Sequence, residues 1–595
     1  MVVGQQLTTV NQWGQLSEKP TRLRLFASVA AKYTVRFLVS CYSRISTAIQ
    51  TRPRRLVSPK VHHFTTKEPV NDSFSDVAET IDDRGAPSPL ERSASADERR
   101  RANVWPGDWK TPEPAQRYQL VVIGGGTAGL VSAAIAAGLG ARVALVERHS
   151  MGGDCLNVGC VPSKGIIRAA RSWEAARKSS AEFGGPRATG PGQFGVAMAR
   201  MRELRAGLSD VDSAARFRAL GVDVFLGDAK FVGRERAVVR DRHGVDTVLR
   251  FRRAIVATGA RASAPKIDGL EEAGYLTNET VFDLDTLPAR LLVIGGGPIG
   301  CELAQTFARF GSHVTLLNAA PHLLPREDGD ASAVVERALS ADGVELQQCV
   351  TILSARRAGD TRVVAYESAG QRFSCSGDRI LVASGRAPNV ENMGLEEAGI
   401  LYDKSGVKIN NRFRTSNTKI FAIGDCSSKY QFTHAADAQA RRAVPNALFY
   451  GVGGGKASDI VMPWCTYTQP EVAHVGMTAH EVAEAGDEIE SITVSLSEVD
   501  RARLDGETDG FLRVHLKSGS DRILGATLVA DHAGEMIGEL TAAMTNGLGL
   551  SALGNTIHPY PTQSEIIRKA ADAYARRRLT PRAKWILGLY FKMLA

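Results

Sequence analysis

Residues Tyr118-Gln119-Leu120-Val121-Val122-Ile123-Gly124-Gly125-Gly126-Thr127-Ala128-Gly129 decide how this chain folds. The aliphatic run reads as a short buried strand. Glycines follow at once, and an alanine-rich stretch to Ala137 reads as a helix. In that strand–turn–helix setting each glycine of G-x-G-x-x-G has a task. Gly124 permits the tight turn, Gly126 lets a pyrophosphate approach the backbone, and Gly129 lets helix and strand pack closely. The phosphates then meet the positive end of the helix. A second strand, Arg142 to Val146, ends in Glu147, about 20 residues on, where a carboxylate can bond a ribose hydroxyl.

The same grammar recurs downstream. Arg290 to Ile294 reads as a strand that leads into Gly295-Gly296-Gly297-Pro298-Ile299-Gly300. Gly295, Gly297 and Gly300 repeat the three tasks, so two Rossmann-like units and two dinucleotides are expected. The strand from His313 ends in Asn318, which neither attracts a ribose 2′-hydroxyl strongly nor repels a 2′-phosphate. Arg326, eight residues on, can meet a 2′-phosphate. NADPH is therefore expected in preference to NADH, although a plain surface role for Arg326 is nearly as compatible.

Between the fingerprints lies Gly152-Gly153-Asp154-Cys155-Leu156-Asn157-Val158-Gly159-Cys160-Val161-Pro162-Ser163-Lys164. A helix is expected from Ile166 to Arg177, weakened in its first turn by Gly165. Thiols near a helix N-terminus ionise easily, and Lys164 adds a positive charge. Two ordinary buried cysteines are the bland alternative.

This stretch resembles the redox-active segment of the class I pyridine nucleotide-disulfide oxidoreductases. The resemblance covers about residues 117 to 575 and points to a mercuric-reductase-like branch. It implies an α/β fold: two dinucleotide-binding domains, for FAD and NAD(P)H, and a C-terminal α+β dimerisation domain. It further implies that Cys155 faces the substrate and that Cys160 lies against the flavin, with Lys164 near flavin N5 and paired to Glu302. Ala257-Thr258-Gly259-Ala260 resembles the point where the chain leaves the FAD domain. Gly385-Arg386-Ala387-Pro388-Asn389 resembles its return, and Asp425 the aspartate that holds the ribityl chain. Phe432-Thr433-His434-Ala435 resembles the start of a helix aimed at the flavin ring.

The chain departs from the family's disulfide-reducing members at His558-Pro559-Tyr560-Pro561-Thr562-Gln563-Ser564-Glu565. Those members carry a histidine base before Pro-Thr, with a glutamate to orient it. Aligned on Pro561 and Glu565, the base position holds Tyr560, and His558 falls two residues early. Tyrosine titrates near 10 and histidine near 6.5, so tyrosine is a poor proton shuttle at neutral pH. His558 could still serve if the loop bends differently. No cysteine follows Cys465, so the C-terminal pair of mercuric reductase is missing.

Charge separates the chain into two parts. Residues 1–67 carry eleven Lys/Arg and one acid, whereas the rest carries 62 Lys/Arg against 63 Asp/Glu. The body has no basic field, which excludes nucleic acid as an expected partner. The acid-poor, Arg-rich leader has the composition of a mitochondrial or plastid transit peptide. Gly85 to Pro89 and Ser93 to Ser95 read as flexible linker.

The expected organisation is therefore leader and linker over 1–115, FAD domain over 116–260 and 385–460, NAD(P) domain over 261–384, and dimerisation domain over 461–575. A basic, apolar tail occupies 576–595; it is expected to be a packed helix, with contact to a membrane surface as the alternative. The expected protein is a homodimer that reduces a small-molecule acceptor: a metal ion, a quinone or a small electrophile. A true disulfide reductase and a flavin-bearing sensor with little turnover are the alternatives.

Overall fold

The described chain begins with a helix, not with the expected linker. The computed structural model describes residues 88–188, 192–485 and 488–594, so the leader and its targeting role lie outside the described residues. α1 (Pro89–Val104) opens with a capping box in which Glu91 N donates to Ser88 Oγ (3.2 Å) and Ser88 N to Glu91 Oε2 (2.7 Å). Pro89 occupies the first turn, where its missing N–H costs nothing. Ser93, read as linker chemistry, and Ala96 are buried small residues that let α1 lie close against a later helix.

β1 (Tyr118–Ile123), α2 (Thr127–Gly138) and β2 (Val143–Glu147) form the first unit. Gly124 and Gly295 turn the chain at φ +110° and +113°. A Cβ on Gly129 would sit 1.8 Å from Gly124 O, and one on Gly300 1.9 Å from Gly295 O, so only glycine fits there.

α3 (Cys160–Phe183) starts earlier than expected, because Cys160 itself is its first residue. Gly165 has a packing reason: a Cβ there would lie 3.2 Å from Met201 Cγ on α4 (Phe194–Ser209), the helix that also receives α1. β3 (Val222–Phe231), β4 (Arg236–Asp241) and β5 (Asp246–Val256) follow. β3 and β5 each pair in parallel with the fingerprint strands at one end and with β4, antiparallel, at the other.

The second unit holds β6 (Arg290–Ile294), α5 (Pro298–Phe310), β7 (His313–Leu317), β8 (Val344–Gln347) and β9 (Arg379–Val382). Its parallel sheet runs β9-β6-β7-β8. A meander of Thr351–Ala358, Thr361–Ser368 and Gln371–Gly377 precedes β9. The chain then returns as β10 (Ile420–Ala422), which adds to β5, and as α6 (Thr433–Leu448). Outward and return crossings are tied together, since Ala260–Ala262 pairs with Arg386–Pro388 and Thr258 Oγ1 donates to Asn389 O (2.7 Å).

The C-terminal unit is a five-stranded antiparallel sheet of β11 (Pro463–Thr466), β12 (Glu471–Gly476), β13 (Ile489–Ser495), β14 (Phe511–Lys517) and β15 (Ile523–Ala530), in the order β11-β12-β15-β14-β13. α7 (Ala533–Thr545) and α8 (Glu565–Arg578) pack on it through Ile537, Leu540, Ile566 and Ala570. α9 (Pro581–Leu594) corrects the expectation of a packed tail: it is a helix, but none of its residues is buried.

Candidate functional site

One continuous cleft of about 3040 Å³ carries both fingerprints and the dithiol. Its walls come from the first turn of each fingerprint helix. Gly126 and Gly297 are the caps of α2 and α5, and neither helix has a side-chain cap. A Cβ on Gly297 would enter open space, and Gly126 faces only the Gly153 backbone at 3.6 Å. Two uncapped helix N-termini open to one cleft suit two dinucleotide pyrophosphates. The donor sets at both ends therefore fit FAD and NAD(P)H.

Glu147 and Asn318 occupy matching places at their strand ends. Glu147 Oε2 accepts from Gly125 N (2.6 Å) and its Oε1 from His149 N (2.7 Å). Asn318 Oδ1 accepts from Gly296 N (3.2 Å), while its Nδ2 donates to Ala320 O and His322 O, each at 2.9 Å. An acid at 318 could not donate to those two carbonyls, which explains the amide. Arg326 is exposed on the cleft wall.

The dithiol sits where α3 begins. Cys155 and Cys160 are both free thiols. Cys160 Sγ lies 3.5 Å from Thr433 Oγ1, at the N-terminus of α6. The hydrogen bond from Cys155, with help from Thr433 and the Lys164 charge, outweighs burial and pulls Cys160 down to about 5. The same bond, together with burial, pushes the Cys155 thiol up. Of the pair, Cys160 is therefore the more acidic thiol.

Lys164 Nζ bonds Glu302 Oε2 at 2.9 Å. Burial alone would pull Lys164 down, but the Glu302 charge and the Cys160 thiolate hold it above its usual value. Glu302 Oε1 accepts from Tyr467 N (2.9 Å), and Lys164 Nζ stands 4.4 Å from the Tyr467 ring centroid. On the flavin side, burial raises Asp425 to about 6 against the opposing charge of Arg386, which lies 3.4 Å away. Arg386 also pairs with Asp154, one residue before Cys155. Gly259, Thr258 and Gly385 line the cleft at the crossings.

Sequence reading missed Thr433 as a sulfur partner, and Tyr467 and Arg386 as bracing groups. Their residue types carry no signal of their own, and only the surrounding motifs located them. It also missed the half-buried Glu327, whose Oε1 accepts from Trp464 Nε1 at 2.6 Å.

The acid/base candidates lie elsewhere. Tyr560 is exposed, with its hydroxyl 3.3 Å from Asp500 Oδ2. His558 turns into its own unit, with Nε2 at 3.0 Å from Glu539 Oε1 and Nδ1 at 3.1 Å from Thr556 O. Glu565 Oε1 accepts from Arg568 (2.7 Å), and its buried Oε2 has no partner among the described residues. None of the three lines the cleft of its own chain.

Comparison with known proteins agrees with this geometry. The family described as pyridine nucleotide-disulphide oxidoreductase matches residues 118–440, and its dimerisation domain matches 462–571. A mercuric reductase of Acidithiobacillus ferrooxidans is 36% identical over 472 residues, which is 78% of this chain and 83% of that protein. A dihydrolipoyl dehydrogenase of Bacillus subtilis is 31% identical over 475 residues, or 77% and 98% of the two chains. Among solved structures, the HOCl-induced flavoprotein disulfide reductase RclA from Escherichia coli superposes with a TM-score of 0.67 at 30% identity, covering 76% of this chain and 99% of that one. Its Cu(II) complex superposes with a TM-score of 0.68 at 28% identity, covering 77% and 100%.

Proposed function

The chain belongs to the pyridine nucleotide-disulphide oxidoreductase family, and from that premise we propose that it passes electrons from NADPH to a metal ion, a quinone or a small electrophile rather than to a substrate disulfide. FAD, when bound, supplies the hydride chemistry that links the nicotinamide to the Cys155–Cys160 disulfide. Reduction breaks the S–S bond and leaves two thiol groups with unequal proton affinity. Cys160 keeps the negative charge, held by the Cys155 hydrogen bond, Thr433 and Lys164. Glu302 fixes Lys164 so that this charge is met at constant distance. Cys155 carries the proton and offers its sulfur to the acceptor. As the acceptor takes two electrons, the S–S bond re-forms and the Cys155 proton leaves.

The observation that carries the reading is Tyr560, exposed and bound to Asp500 where a disulfide reductase needs a histidine base. Reduction of a disulfide must protonate a leaving thiolate. Reduction of a thiol-ligated metal ion takes up no proton, and a quinone takes one from the Cys155 thiol and one from solvent, so neither must protonate a leaving thiolate. The mercuric reductase relative and the Cu(II)-bound neighbour support a metal ion as one acceptor. In a homodimer, which the dimerisation domain supports, the second copy's Tyr560 would be the group offered to Cys155.

The test is anaerobic reduction with NADPH, followed by a panel of Hg(II), Cu(II), a benzoquinone, lipoamide and glutathione disulfide. The expected result is turnover with the metal ions or the quinone at least about tenfold above either disulfide. Faster turnover of lipoamide would favour the dihydrolipoyl dehydrogenase reading instead.

A further inference from the structure

α9 lies beyond the stretch that matches the family, which ends at residue 571. Thr580 starts it: Ala583 N donates to Thr580 Oγ1 (3.2 Å), and Pro581 takes the first helical position. Its exposure is extreme for its composition, with Trp585 67%, Phe591 62% and Met593 78% accessible. A helix this apolar with no buried residue is an unfinished contact.

The arrangement around its axis indicates what completes it. Lys584, Gly588 and Lys592 recur at every fourth residue and form one narrow stripe. Trp585, Ile586, Leu589, Tyr590, Phe591 and Met593 fill most of the remaining circumference. From Arg576 to Leu594 the chain carries six Lys/Arg and no acid. Arg577 is anchored to the dimerisation sheet through Ser491 O (2.9 Å), so this charge sits at a fixed exit from the fold. Fourteen residues span only about 21 Å, short of the ~30 Å hydrocarbon thickness. Among the described residues no helix is long and apolar enough to cross a membrane.

We propose that α9 docks this protein on an anionic lipid bilayer surface, lying in the interface with its aromatic and aliphatic face buried and its cations against the headgroups. Charge complementarity selects that occupant. A second copy of this chain would bring the same uncompensated cations against themselves, whereas an anionic surface neutralises all of them. The wide apolar arc supplies the insertion that the charges alone would not.

The test uses full-length, FAD-loaded protein floated with vesicles of phosphatidylcholine alone or mixed with phosphatidylglycerol. At low salt at least about ten times more protein should float with the anionic vesicles, and high salt should cut that binding. A chain ending at Leu579, and separately the pair Trp585→Ala with Phe591→Ala, should lose flotation while keeping flavin content and NADPH oxidation. Equal flotation of wild type and truncated chains would overturn the proposal. So would binding indifferent to lipid charge. Loss of the dimer on size exclusion when α9 is removed would also overturn it, by assigning the helix to the second copy.

Discussion

Arg100 Nη1 donates to Asn157 Oδ1 at 2.9 Å, so a helix that precedes the family-matched residues grips the short helix Gly153–Asn157 that carries Cys155. Val104 O accepts from Met151 N (3.1 Å) just before that short helix. Arg205, only 2% exposed, links the two from behind, bonding Asn157 O and Asp97 Oδ1, each at 2.9 Å. Asp97→Ala leaves that guanidinium buried without its ion-pair partner. A loss of about 2–3 kcal/mol is expected by denaturant unfolding. A chain beginning at Gly85 should match the full chain in stability, whereas one beginning at Trp105 should not. Equal stability of all three would show that α1 is only an appendage.

Cys160 should be the thiolate at neutral pH. Its lowered pKa means that the charge is half present at about pH 5, complete well above it, and lost as pH falls below it. Thiolate absorbance of the anaerobically reduced protein should follow this course. Lys164→Met removes a stabilising charge, and Cys155→Ala removes the hydrogen bond, so both should move the midpoint upward. If Cys160→Ser left the thiolate signal intact, the roles of the two cysteines would have to be exchanged.

Asn318 should resist conversion to an acid. Asn318→Asp sets a carboxylate against Ala320 O and His322 O. The expected outcome is weaker binding of both NADPH and NADH rather than a switch to NADH. Arg326→Ala should raise the KM for NADPH about tenfold, one charge-assisted contact's worth, and leave that for NADH unchanged. Steady-state kinetics with the two cofactors distinguish these cases.

Desolvation raises Glu327 to about 7 from its ordinary 4.5, against the hydrogen bond from Trp464. The folded state then binds more protons than the unfolded chain between those values. On this group's account stability falls as pH rises from 4.5 through 7. Glu327→Gln should flatten that slope in thermal unfolding of the holoenzyme followed across the same range. A steeper slope in the variant would place the effect elsewhere.

Tyr560→Phe should slow turnover with the acceptor by about tenfold or more while leaving NADPH-driven reduction of the dithiol unchanged, because the phenol is remote from its own chain's cleft. His558→Ala should instead show itself in stability, since both ring nitrogens are engaged within the C-terminal unit. Rapid-mixing measurement of the two half-reactions separates the outcomes.

The sequence by itself determined the parts whose chemistry is local. A glycine run after an aliphatic strand can do little but turn and receive phosphate, so both dinucleotide units and the family were legible from Gly124 and Gly295 onward. Cys155, Cys160 and Lys164 were legible for the same reason, being held within one loop and one helical turn. What only the tertiary structure decided was the setting of the dithiol. Thr433, 273 residues from Cys160, reaches its sulfur, and Glu302, 138 residues from Lys164, holds the lysine beside it. Contacts of a few ångströms between residues so distant in the chain leave no periodicity or spacing to read.

Two segments misled for a related reason. Ser93 to Ser95 has linker composition, yet small residues are also what a helix needs to lie close to another. The tail has core composition, yet the fold offers it no core to join. Composition specifies what a segment can bury, and the rest of the structure decides whether there is a surface for it to meet.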